Sequence, residues 1–151
     1  MSDGTPDFSD MLNQHLGGWN EAMGLRFVRA SADEVVAELA VGRVHQQPYG
    51  IVHGGVHAGV IETLASAGAA ISAGARGQSV VGLENSTTFI RAVREGTLCA
   101  TARPLTRGRR SQVWETTIVD ADGRLVATGR VRLLCLEPGA SLAGEPAGVK
   151  S

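Results

Sequence analysis

The chain has 151 residues, 43% hydrophobic and 19% charged, with a formal net charge of −1. That length fits one domain, the apolar fraction excludes global disorder, and the near-neutral balance gives no general attraction to nucleic acid or an anionic membrane. Lys150 is the only lysine among 14 basic residues, an arginine bias that overall composition by itself explains.

Residues 1–6 and about 138–151 are rich in Gly, Pro, Ala and Ser without periodicity, so frayed ends are expected around an ordered core of about 8–137. Phe8, Met11, Leu12, His15, Leu16 and Trp19 recur at helical spacing and predict one short amphipathic helix. Gly24–Ala30 and Glu34–Val41 read as strands joined at Ser31-Ala32-Asp33. Arg43–Tyr49 follows as a polar loop, in which Pro48 opposes regular helix.

A long helix of small residues is predicted from about His53 to Ala75, with Val56, Val60, Leu64, Ala67 and Ile71 as its buried stripe. Its hydropathy resembles a membrane span, but Glu62 near its middle would be costly in lipid, so a buried helix is expected. Gly77-Gln78 ends it. Val80–Arg91, Gly96–Leu105, Arg110–Asp120 and Arg124–Leu136 read as four strands, the last two joined through Asp122-Gly123, a hairpin signal. The order predicts a single α+β domain over residues 1–151, with one curved antiparallel sheet of about six strands around one helix. Such a sheet is covered on one face only, so a homo-oligomer is expected.

Cys99 and Cys135 lack any C-x-x-C partner, which excludes a zinc ribbon and a disulfide scaffold and suggests buried free thiols. No basic-then-apolar leader opens the chain, so a cytoplasmic protein is expected.

Chemistry concentrates on the long helix. Glu62 and Ser66 stand four residues apart and share a face. Glu62 lies roughly 200° from Val60, off the predicted buried stripe. No Lys or Arg falls between Val44 and Ala75, which favours a functional carboxylate over a merely solvated one. Gly54-Gly55 at the helix start would leave amide groups open to polarise a carbonyl, although paired glycines also simply make turns. His53 and His57 have the i, i+4 spacing of metal ligands, but no HExxH motif or third ligand accompanies them, so no metal is expected.

Gln47-Pro48-Tyr49-Gly50-Ile51-Val52-His53-Gly54-Gly55, followed by Glu62 and Ser66, resembles the hotdog-fold acyl-CoA thioesterases. The closer resemblance is to the branch that hydrolyses aryl-CoA thioesters such as 4-hydroxybenzoyl-CoA and 1,4-dihydroxy-2-naphthoyl-CoA. It continues through Val80–Glu84, Arg94-Glu95-Gly96, Gln112-Val113-Trp114 and Asp122–Leu125, covering roughly residues 20–136. The resemblance implies a hotdog fold and hydrolysis of an acyl-CoA with an aromatic or bulky acyl group. Glu62 would be nucleophile or general base, and Gly54 would offer its N–H to the thioester carbonyl. Gln47 and His53 would orient the thioester, and Ser66 would position water or the acyl group.

CoA contacts would fall at Gly82, at Phe89-Ile90-Arg91-Ala92 and at the turn Thr106-Arg107-Gly108-Arg109-Arg110-Ser111, where arginines suit phosphate oxygens unless the turn is only a solvated tip. Phe89 departs from the naphthoyl-CoA enzymes, which have His there. No cofactor beyond the CoA of the substrate is implied. The oligomer would be a dimer at least, or a tetramer built as a dimer of dimers, with each site drawing on two subunits. Two alternatives are a non-catalytic acyl-CoA-binding regulator and a hotdog dehydratase or hydratase.

Overall fold

A computed structural model describes residues 3–150. The apolar spacing from Phe8 to Trp19 forms not one helix but two, α1 (Ser9–Gln14) and α2 (Gly18–Met23). The break falls at Gly17, whose φ of +77° is open to glycine and disfavoured for other residues. Next come β1 (Arg26–Ala30), β2 (Val35–Ala40), a single 3₁₀ turn (Arg43–His45) and the long helix α3 (Gly54–Gly74).

The strands β3 (Ser79–Phe89), β4 (Thr97–Arg107), β5 (Ser111–Val119) and β6 (Leu125–Leu136) complete one sheet in the order β1-β2-β4-β5-β6-β3, with every pairing antiparallel. This is the α+β hotdog fold, a six-stranded sheet wrapped around a central helix. Its β5–β6 turn uses Gly123 at φ +78°, as the Asp-Gly signal predicts. The C-terminal segment is not simply frayed. Ser141–Leu142 (β7) and Glu145–Pro146 (β8) form a small hairpin that turns at Gly144 with φ +83°.

The core lies between the concave sheet and α3. Val56, Val60, Ile61, Leu64, Ala65, Ala69 and Ala73 on the helix are buried, as are Phe27, Leu39, Trp114, Ile118, Val131 and Leu133 on the strands. By length and composition α3 could cross a membrane, but it packs into the sheet. The predicted stripe holds through Leu64 and then departs, because Ala67 and Ile71 are only half-buried.

Gly68 takes the sheet-facing place, and a Cβ there would lie 2.4 Å from the Trp114 ring. Trp114 fills that space, and apolar periodicity passes over a glycine whose partner is supplied from another strand. The indole Nε1 donates to Gln112 Oε1 at 2.8 Å, so the buried polar pair is satisfied. Cys135 is buried as expected, whereas Cys99 is only half-buried; both are free thiols.

Two strands, β1 and β3, form the sheet's edges. β3 is the exposed one, with Leu83 and Phe89 open to solvent. An edge strand carries a row of backbone groups without partners in the sheet, a template for another strand.

Candidate active site

The start of α3 is built around one open amide. His53 caps the helix, with its Nδ1 accepting from the Gly55 N–H at 2.7 Å and its carbonyl accepting from the Val56 N–H at 2.9 Å. A Cβ on Gly55 would meet the His53 ring at 2.8 Å, so the cap requires glycine there. The Gly54 N–H is left without an acceptor among the described residues, at the positive end of a 21-residue helix. Phe89 lies across Gly54, its ring 2.8 Å from where a Cβ would stand.

Gln47 enters from a loop that folds on itself, its backbone bonded to Gly50 and Ile51 and its Oε1 accepting from the Tyr49 N–H. Arg94 pins the loop through Tyr49 O at 2.6 Å. Gln47, Gly54, Phe89, Ile90, Arg91 and Ala92 line one cavity of about 340 Å³. Six residues singled out from sequence thus come together at the helix start. His57 also lines this cavity. Burial pushes its imidazole below the ordinary histidine value, so it is neutral at pH 7.

Glu62 and Ser66 open on a different cleft, also about 340 Å³, between α3 and the N-terminal helices. Leu12, Leu16, Phe27, Ala67 and Val80 supply its apolar walls. Glu62 is half-buried. Its Oε2 accepts from Asn85 Nδ2 at 3.1 Å, and the same amide reaches Ala58 O at 3.0 Å. Thr87 Oγ1 donates to Asn85 Oδ1 at 2.6 Å and fixes the amide's orientation.

Gly82 stands against this carboxylate, since a Cβ on it would lie 2.1 Å from Glu62 Oε1. Gly82, expected among the CoA contacts, leaves room for the acid by lacking a Cβ. Asn85 was not singled out from sequence. The available signal was Glu84-Asn85-Ser86, a polar run with a β-disfavoured Asn inside a strand.

The two clefts are separated along α3. Eight residues divide Gly54 from Glu62, about 12 Å at ~1.5 Å per residue, and the two line separate cavities. The arginine turn lies at the other end of the helix. β4 runs on through Thr106 and Arg107, β5 starts at Ser111, and the tip is Gly108-Arg109-Arg110. Arg107 is bound to Ala32 O and Asp33 Oδ1, both at 2.8 Å, while Arg109 is exposed beside Glu137. Among the described residues no three His, Cys, Asp or Glu side chains cluster as a metal site.

A family model described as "Thioesterase superfamily" matches residues 49–127. The Mycobacterium tuberculosis protein Rv1847, named as a candidate esterase, is 43% identical over 135 residues, 88% of this chain and 96% of that one. Its solved structure superposes with a TM-score of 0.78 at 42% identity, covering 82% of this chain and 98% of that chain. The crystal structure of AziG from S. sahachiroi gives a TM-score of 0.78 at 46% identity, over 81% of this chain and 98% of that one. The proofreading thioesterase EntH of Cronobacter turicensis is 38% identical over 111 residues, 74% of this chain and 80% of that protein.

Proposed function

The chain belongs to the thioesterase superfamily of hotdog-fold acyl-CoA hydrolases, and on that premise we propose that it hydrolyses an aromatic or similarly bulky acyl-CoA at a site shared by two copies, with Glu62 as the reacting carboxylate. The separation of the two clefts carries this assignment. The open Gly54 N–H suits a thioester oxygen, which gains negative charge as the carbonyl is attacked. Glu62 is the carboxylate that can attack the carbonyl carbon or take a proton from an attacking water. The thiolate of CoA then leaves and is protonated. The apolar walls beside Glu62 favour a ring or branched acyl group.

The exposed β3 edge supplies a geometry that joins the halves. Gly82, against Glu62, and Phe89, over Gly54, lie seven residues apart on β3, about 23 Å at ~3.3 Å per residue. A second β3 paired antiparallel about a two-fold axis between Asn85 and Ser86 sets Gly82 of one copy opposite Phe89 of the other. The carboxylate of one subunit then faces the carbonyl-holding amide of its partner. Gln47 and His53 belong to the carbonyl side and Ser66 to the carboxylate side.

Released thiol, followed with benzoyl-CoA, naphthoyl-CoA and hexanoyl-CoA, tests the activity. Turnover is expected with all three and fastest with the aromatic pair. Binding without thiol release would instead mark a non-catalytic acyl-CoA-binding protein. Mixing inactive Gln47→Ala with inactive Glu62→Gln subunits tests the shared site. Up to half of the mixed dimers' sites then carry neither substitution, so activity returns on exchange; a mixture that stays inactive after verified exchange rejects the sharing.

A further inference from the structure

His57 is not accounted for by the chemistry above. It lies on the first turn of α3, is only 4% exposed, and its Nδ1 is buried without a hydrogen-bond partner. A buried polar atom left unpaired is destabilising, and a Leu or Phe would fill the same space without that cost. The other orphaned buried side-chain atom among the described residues, Thr116 Oγ1, belongs to the sheet's closed core. His57 differs because its ring borders the cavity at the open Gly54 amide, where Phe89 packs 6.2 Å from it.

We propose that His57 is a substrate-binding residue, whose imidazole hydrogen-bonds an amide of the pantetheine arm common to CoA thioesters. This rests on the thioesterase assignment. With the carbonyl oxygen at Gly54, the acyl group runs towards the carboxylate cleft and the thiol arm runs the other way. Ile90 and Arg91 line the same cavity. Arg91 is exposed and has no carboxylate partner among the described residues. The arm carries amides, each with one donor and one acceptor, and a neutral imidazole offers the complementary pair.

His57→Phe keeps a ring beside Phe89 and removes both nitrogens. It is expected to weaken free CoA binding, measured by calorimetry, about tenfold, the scale of one hydrogen bond. kcat/KM should fall by the same factor for benzoyl-CoA and hexanoyl-CoA, mainly through KM, with no loss of melting temperature. S-ethyl thiobenzoate, which has no amide arm, should be cleaved equally by both proteins. If the phenylalanine misfits and lowers the melting point, His57→Leu repeats the test in a smaller side chain.

Unchanged CoA affinity in a folded variant overturns the proposal, as does a loss that depends on the acyl group or persists with S-ethyl thiobenzoate. A wild-type protein that binds CoA through His57 yet releases no thiol would overturn the catalytic assignment instead.

Discussion

Glu62→Gln is expected to lower kcat by ~10² or more, the usual scale for losing a positioned acid–base group, while KM changes little. The substitution keeps the side chain's length and its space beside Gly82, and an amide oxygen can still accept from Asn85 Nδ2. What disappears is the carboxylate's ability to attack a carbonyl or hold a proton. Steady-state thiol release, read beside a melting curve, makes the comparison. Near-wild-type turnover in a folded Glu62→Gln protein would remove Glu62 from the mechanism. The nucleophile and the base make a further distinguishable expectation: single turnover in ¹⁸O-water labels Glu62 only if an acyl–enzyme anhydride forms on it.

Gly82→Ala should also cost activity steeply without unfolding the protein. The added methyl would stand 2.1 Å from Glu62 Oε1 and 3.2 Å from its Cδ, so the carboxylate has to swing away. A flexible side-chain end moves at little cost in stability, and Ala suits a strand slightly better than Gly. Position is another matter. A misplacement near 1 Å at a reacting group costs on the order of 10² in rate, so kcat should drop by about that factor at an unchanged melting temperature. Retained turnover would mean that the carboxylate does not react from the position Gly82 permits.

Much of the fold was legible because its signals are local. The small-residue run from Gly54 to Gly74, the strand-length apolar runs and the Asp122-Gly123 turn predict α3 and its sheet with boundaries shifted by only a few residues. Three departures have non-local or easily missed causes. Gly17 divides the N-terminal helix through a positive φ that apolar spacing does not register. Gly68 replaces Ala67 in the buried stripe because Trp114, 46 positions on, occupies the missing side-chain volume. The hairpin at residues 141–146 closes in a segment whose composition reads as frayed.

The site divides along the same line. Residue type and helical spacing were enough to single out Glu62, Ser66 and the Gly54 helix start, because their relation is fixed by 3.6 residues per turn. Sequence could not assign Gly82 to the carboxylate or reveal Asn85 as its hydrogen-bond donor, since β3 reaches α3 only through tertiary packing. Nor could it show that His57 keeps a buried nitrogen without a partner, which depends on every neighbour at once. The rigid rise of α3 holds Glu62 about 12 Å from Gly54, while the edge position of β3 leaves a strand free to pair. Helix chemistry was therefore written locally in the chain, and the placement of its two halves was decided by the sheet, whose contacts join residues far apart in sequence.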